Sequence, residues 1–398
     1  MGRILHFGLG NFARAHLLDY TTDAGGWDVV GVSLRSAAIR DGLAAQAFAY
    51  DLCLQGAGIK RIGVLKDVLV APENPAAVLA AMDEADIISA TVTEKGYHLD
   101  ASGVLDLDDP SIKNDLAGRG PSTLIGFLAF GLAGRGRPVT VMSCDNRIEN
   151  GAGLRAAVAR FATTAGLEID WDKMRFPNAM VDRITPATTD VVRAISGDPM
   201  AVPTEAFGEW VIEDDFAGPR PNWPDVQFVD DVAPHELRKL RMLNGAHSLM
   251  AYAGLLRGFT FVHEAIVDTE LRRLVTDLMA QAGATLPASV QPQVPSYAQA
   301  LLHRFENPEL AHRLDQIAMD GSQKLPHRFI APLRTGDAPA MVEGVRAWIR
   351  FCASEVAIGH PLRDPKAEQI AQALQSKDPT TAMLTLVGAA DLAPLIWG

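Results

Sequence analysis

Three side chains of KLRMLNGAHS (239–248) have the types and spacing to move a proton and hold an oxygen: Lys239, Asn244 and His247. At about 100° per residue, with Leu240 at zero, they fall at roughly 260°, 40° and 340° on a helical wheel. Leu243, Ala246 and Met250 fall at roughly 300°, 240° and 280°, and Glu236 near 320°. The polar groups thus share the arc of the apolar stripe, while Arg238, Arg241 and Ser248 take the solvent side. Lys and Glu are seldom buried without a partner. One reading is a Glu236–Lys239 pair at the edge of a core, with His247 satisfied by a backbone carbonyl. The other is a lysine in a cleft, its charged form destabilised by desolvation so that it exchanges protons near neutrality.

A scaffold must hold such a group against a reacting partner, and the start of the chain offers one. FGLGNFARAH (7–16) follows a short apolar strand, RILHF (3–7), and opens a helix over 13–22. It carries Gly8-x-Gly10-x-x-Ala13. In dinucleotide-binding folds the first glycine makes the tight turn and the second lets the backbone approach the pyrophosphate. A small third residue lets helix and strand pack closely. The N–H groups at the helix start then face the phosphates. Gly8, Leu9, Gly10, Asn11 and Phe12 are the expected cofactor contacts. The second strand, WDVVGVSL (27–34), ends without the acidic residue that usually holds the adenosine ribose. Arg35 and Ser36 stand there instead, and Arg35 suits either a stack on adenine or a 2′-phosphate. These residues leave the choice between NAD and NADP open.

Strand and helix patterns alternate through the first part of the chain. Helices are expected at 74–84, 121–134 and about 150–165, and strands at 86–93 and 138–144. This spacing indicates a parallel sheet covered on both faces. The Pro-, Gly- and Asp-rich segment 214–226 reads as a linker or crossing segment. Beyond it, helical patterns dominate: 234–256, 264–283, 296–304, 308–319, 338–357, 366–376 and 379–388. The expected fold is α/β, a Rossmann-like doubly wound domain over 1–213 followed by a mostly helical substrate domain over 214–398.

The 398 residues carry a formal charge of −12 and no basic run, which argues against nucleic-acid and anionic-membrane partners. No apolar run approaches the roughly 20 residues of a membrane span. Met1 leads almost at once into ILHFGLG, with no targeting pattern. The three cysteines are far apart, which suits a reducing, cytoplasmic setting. Neither CxxC nor HExxH occurs and the histidines are scattered, so no metal is expected.

FGLGNFARAH, TVTEKGYH (91–98), SCDNRIENG (143–151), FPNAMVDRITP (176–186) and KLRMLNGAHS together resemble signatures of the mannitol dehydrogenase family, the polyol-specific long-chain dehydrogenases/reductases. RFENPELAHRLDQIAMDGSQKLPHR (304–328) looks most like the fructuronate reductase (D-mannonate oxidoreductase) branch. The pattern K-x4-N-x2-H falls on Lys239, Asn244 and His247. The resemblance implies that Lys239 transfers the proton and that Asn146 and Asn244 polarise the carbonyl or hold the alkoxide. It further implies that His247 binds a substrate hydroxyl and that Glu236 lines a proton path to the lysine, all without a metal. By the same resemblance the chain would lack the arm that precedes the glycine turn and would be trimmed between motifs.

Within that frame, NAD(P)-dependent reduction of a keto-uronate, D-fructuronate to D-mannonate, is expected. Amide donors in a dry cleft stabilise the developing oxyanion, each typically worth about 3 kcal/mol. Asp182 of MVDR, with Arg183 beside it, would bond sugar hydroxyls; the alternative for Asp182 is a helix cap. Lys324 and Arg328 are candidates for the substrate carboxylate, against the alternative of two solvated cations. Thr93 and Glu94, with Lys95, end a strand where nicotinamide contacts are expected. Two kindred activities stay open: a polyol dehydrogenase acting on mannitol or arabinitol, and a tagaturonate reductase. A non-catalytic dinucleotide-binding protein is the reading from another class.

Overall fold

The computed structural model describes residues 1–100, 102–336 and 338–397. Twelve strands occur among the described residues: β1 (Gly2–Phe7), β2 (Trp27–Ser33), β3 (Tyr50–Gln55), β4 (Gly58–Ile62), β5 (Leu65–Val70), β6 (Ile87–Ala90), β7 (Val139–Ser143), β8 (Met174–Arg175), β9 (Ala179–Asp182), β10 (Val202–Glu205), β11 (Glu209–Glu213) and β12 (Val226–Val229). Six of them form an all-parallel sheet in the order β5-β2-β1-β6-β7-β8. Strands alternating with helices can close only this way, because each crossover returns over a face of the sheet. Both faces are therefore buried, and the central strands are apolar on both sides. In β1, Leu5 and Phe7 belong to one core with Ile88 and Ala90, while Ile4 belongs to another with Val29 and Ile87.

This order is that of the doubly wound dinucleotide fold, with its reversal between β1 and β6. The expected α/β class and parallel sheet are therefore observed. Two smaller sheets have no counterpart in the strand signals of the sequence. One is β10-β3-β4 and the other β12-β11-β9. Most of their strands are only four or five residues long, too short for a period-two pattern to stand out. The helix after the glycine turn also differs from the single element expected. It runs Asn11–Ala15, breaks at His16 and resumes over Leu17–Ala24.

The chain divides into two compact units, Met1–Ala233 and Pro234–Gly398. Val226–Val229 pairs with β11, so the chain just past the Pro-rich segment 214–226 belongs to the first unit. The second unit is helical. Its central helix, Asn244–Leu255, is buried nearly all round, with Leu249, Met250, Ala251 and Tyr252 at zero exposure. A helix without a polar face must sit inside a layer of others, here including Thr269–Ala284 and Pro339–Ala357. No helix among the described residues is long and apolar enough to cross a membrane.

Candidate active site

The first unit carries the cofactor half. Gly8 has φ +88°, and a Cβ there would stand 2.0 Å from the main-chain oxygen of Thr91, so only glycine fits. Thr91 Oγ1 donates to the Gly8 carbonyl at 2.7 Å, joining the glycine turn to the end of β6 at the reversal point. A Cβ added to Gly10 would meet no neighbouring atom within 4 Å, which leaves its backbone open to a ligand. Ala13 is buried against the sheet. A cleft of about 510 Å³ is lined by Gly8, Leu9, Gly10, Arg35, Thr91 and Thr93 together with Ser122, Thr123 and Leu124 at the start of helix Leu124–Leu132. This is where open α/β sheets take ligands, and the residues present fit a dinucleotide.

Not every expected contact offers its side chain there. Asn11 Nδ2 donates to the Pro186 carbonyl at 3.2 Å and to Thr188 Oγ1 at 3.1 Å, and its Oδ1 accepts from Arg14. Its side chain ties down a loop, leaving only its backbone for phosphates. Phe12 stacks on His16, ring centroids 5.0 Å apart. Glu94 is exposed in the turn Glu94–Tyr97 and is not among the lining residues of the cleft, whereas Thr93 is.

Asn146 lies exposed three residues after β7. Its neighbour Asp145, which the sequence reading passed over, fastens the region. Asp145 Oδ2 accepts from Val92 N–H at 2.9 Å and from the Tyr97 hydroxyl at 2.7 Å, and Oδ1 accepts from Thr93 N–H at 3.1 Å. Tyr97 Oη also stands 2.6 Å from Ser143 Oγ, and burial raises its phenol far above the usual range, so it stays protonated. Thr93 is held at φ +65°, ψ 166°, a conformation almost confined to glycine. Asn150 bonds both the Asp145 carbonyl and the Ala179 backbone. The only sequence signal was the acid next to Asn146 in SCDN.

Asp182 is buried and ends β9; it caps no helix, since the next one, Asp190–Ser196, is capped by Thr189. Arg183 is committed elsewhere. Its guanidinium pairs with Asp19 at 2.5 Å and donates to the carbonyls of Ala15 and Glu205, with 5% of the side chain exposed. It braces the first unit and has little left to present to a sugar.

The second unit holds Lys239, Asn244 and His247, the residues expected to handle the proton. A helix from Ala233 to Arg238 does not run on as α but widens into a π turn, Lys239–Leu243, before resuming as Asn244–Leu255. Asn244 N–H bonds the Lys239 carbonyl, five residues back. The uniform wheel set Lys239 and Asn244 far apart. With i→i+5 bonding, five residues make about one turn, so K-x4-N becomes a one-turn spacing. Asn244 and His247 are then i and i+3 on an ordinary α-helix. Lys239, Glu236 and His247 are all buried, at 8, 9 and 8% exposure, but Arg238 and Ser248, expected on the solvent side, are buried too, at 2 and 0%, because the helix is enclosed nearly all round and the π turn changes its phase.

His247 packs against Phe305 and edge-on to His312, each at 5.0 Å. Burial holds its imidazole well below the usual range, helped by the charges of Arg304, Arg328 and Lys239, so it is neutral. Neither His312 nor Arg304 was singled out from sequence, although both lie in the stretch that carries the branch resemblance. Arg328 sits on a second π turn, Pro326–Ile330. It donates to the Asn244 carbonyl at 3.1 Å and to Ser248 Oγ at 2.8 Å. Burial lowers its guanidinium to about 10, and no carboxylate among the described residues lies within ion-pair distance. Lys324 differs: its ammonium donates to the carbonyls of Ile317 (3.2 Å) and Met319 (2.5 Å).

A parallel sheet with a glycine turn at its reversal, followed by a helical unit holding a buried lysine, defines a dinucleotide-dependent oxidoreductase architecture. The mannitol dehydrogenase Rossmann domain model matches residues 2–225, and the mannitol dehydrogenase C-terminal domain model matches 231–393. The chain belongs to the mannitol dehydrogenase family. It is 38% identical to D-mannonate oxidoreductase of Escherichia coli, over 97% of this chain and 88% of that one. It is 37% identical to mannitol 2-dehydrogenase of Phaeosphaeria nodorum, over 97% of this chain and 75% of that one. Pseudomonas fluorescens mannitol 2-dehydrogenase, solved as a ternary complex with NAD and D-mannitol, superposes with a TM-score of 0.81 at 32% identity, covering 99% of this chain and 90% of that one. The protein is thus an oxidoreductase acting on CH–OH groups.

Proposed function

We propose that the protein interconverts a keto-uronate and its hydroxy acid, D-fructuronate and D-mannonate, using NAD. The observation that carries this reading is Arg328: a half-buried guanidinium whose partners are a carbonyl and a hydroxyl. A partly desolvated cation without an anion is costly, and a substrate carboxylate supplies one with bidentate geometry. Lys324, bonded to two carbonyls, contributes charge to this end of the site more than contact. The resemblance to D-mannonate oxidoreductase supports the same substrate class.

The nicotinamide, when bound, supplies or accepts the hydride. The chain's own groups handle the oxygen. Lys239 gives a proton to the nascent alkoxide in reduction and, when neutral, removes it in oxidation. The amide N–H groups of Asn146 and Asn244 stabilise the negative oxygen. Neutral His247 takes a substrate hydroxyl, Asp182 accepts from another, and Glu236 relays the proton of Lys239. Asp145 fixes the turn that carries Asn146.

A second reading, the same chemistry on an uncharged polyol, is favoured by the equal likeness to mannitol 2-dehydrogenase. Following NADH loss with D-fructuronate, D-tagaturonate and D-fructose separates them. Turnover of fructose alone overturns the uronate reading; turnover of tagaturonate alone keeps the carboxylate and changes the sugar.

A further inference from the structure

The adenosine end of the cofactor cleft has an unusual charge pattern. NAD-binding sheets commonly place a carboxylate after the second strand, where it takes the two ribose hydroxyls. Here β2 ends at Ser33, and Leu34, Arg35 and Ser36 follow. Ser33 Oγ is turned back onto the Ser36 carbonyl at 2.7 Å, closing this loop on itself. The residues lining the cleft include no Asp or Glu, while Arg35 is among them.

The next carboxylate along the chain, Asp41, is engaged, as is Glu73. Arg40 Nη2 pairs with Asp41 at 2.8 Å, and its Nη1 holds Glu73. That leaves Arg35 as an exposed guanidinium, with no hydrogen bond or ion pair among the described residues. A dianionic 2′-phosphate beside this loop meets a fork of donors and no opposing acid. A ribose diol there meets no acceptor carboxylate.

We propose that the cleft accepts 2′-phosphorylated dinucleotides, NADP(H), as well as NAD(H), and that Arg35 is the residue that sets the ratio. The inference rests on the cleft being the cofactor seat, not on which sugar is reduced.

The test is equilibrium titration of the full chain with NADH and with NADPH, following nicotinamide fluorescence in the absence of sugar. The parent binds both. Because charge-assisted hydrogen bonds are the stronger kind, Arg35→Ala weakens NADPH at least about tenfold more than NADH. Arg35→Asp excludes NADPH while still binding NADH, and Arg35→Lys, which keeps the charge and loses the fork, falls between the parent and Arg35→Ala. The NADPH affinity of the parent also falls more steeply with salt than its NADH affinity. Equal weakening of both cofactors by Arg35→Ala makes Arg35 an adenine stack and overturns the proposal, as does a parent that fails to bind NADPH. A substrate panel that fails while these titrations succeed would instead fault the uronate reading.

Discussion

Arg328 donates to the main-chain oxygen of Asn244 at 3.1 Å, so the second π turn of the helical unit is fastened just past the end of the first. The residue proposed to hold a carboxylate is thereby built onto the element that carries the lysine and its amide partner. The neighbouring Gly245 is closely packed: a Cβ there would stand 3.3 Å from Leu278 Cδ2 and 3.9 Å from the Arg328 carbonyl oxygen.

Arg328→Gln is expected to cost D-fructuronate at least about tenfold more in kcat/KM than D-fructose, since a charged hydrogen bond is lost only for the acid. Arg328→Lys should recover part of the difference. Steady-state kinetics on both substrates checks this, and equal losses would show that Arg328 merely supports the helix.

Lys239→Ala should bind the cofactor like the parent while kcat falls at least about a hundredfold. Stopped-flow reduction together with cofactor titration separates the two effects. A variant within a few fold of the parent refutes the role.

Deleting Leu240 removes the extra residue of the first π turn and lets an ordinary α-helix run through. The prediction is a folded protein, by circular dichroism and thermal melting, whose turnover drops at least about a hundredfold because the lysine is displaced from its partners. Retained turnover would mean that the widened turn plays no part in aligning them.

Thr93 is held at φ +65° by the carboxylate of Asp145, and such strain costs about 1–3 kcal/mol. Thr93→Gly should therefore stabilise the chain, and Asp145→Asn should cost more in that background than in the parent, where losing the carboxylate also releases the strain. A double-mutant cycle on urea unfolding measures the coupling. Additive effects would leave the two residues independent.

His6, fully buried in β1, bridges Ser89 Oγ and Thr91 Oγ1, and burial brings its imidazole from 6.5 to about 4. The unfolded chain takes up a proton in that window and the folded chain does not. Stability is complete above 6.5, falls as the pH drops toward 4 and levels off below it. The difference is on the order of 3 kcal/mol. Compared at about pH 7.5 and about pH 4.5, His6→Asn should lose less stability on acidification than the parent. Parallel losses would point to His247 and His312, which burial also keeps neutral.

The cofactor half was readable where local chemistry alone decides it. β1 is apolar on both faces because both are covered, and Gly8 is glycine because Thr91 blocks anything larger. The short strands of the two small sheets were not readable, because four residues carry too little period to register. Arg183 and Arg328 look alike in sequence. What separates them is Asp19, which lies 164 positions from Arg183 and reaches it only through the fold. The lysine helix was legible in its polar content but not in its phase, since a wheel of constant step has no room for one wide turn.

That wide turn has a practical consequence. A helix forced off its preferred hydrogen-bond register is a spot where thermal-stability screening finds easy gains. By the roles proposed for Lys239 and Asn244, a change that returns 239–243 to regular winding is expected to raise the melting temperature while lowering turnover. Directed evolution of this chain should therefore be scored on product formed, because selection on robustness alone would drift toward well-folded, inert protein.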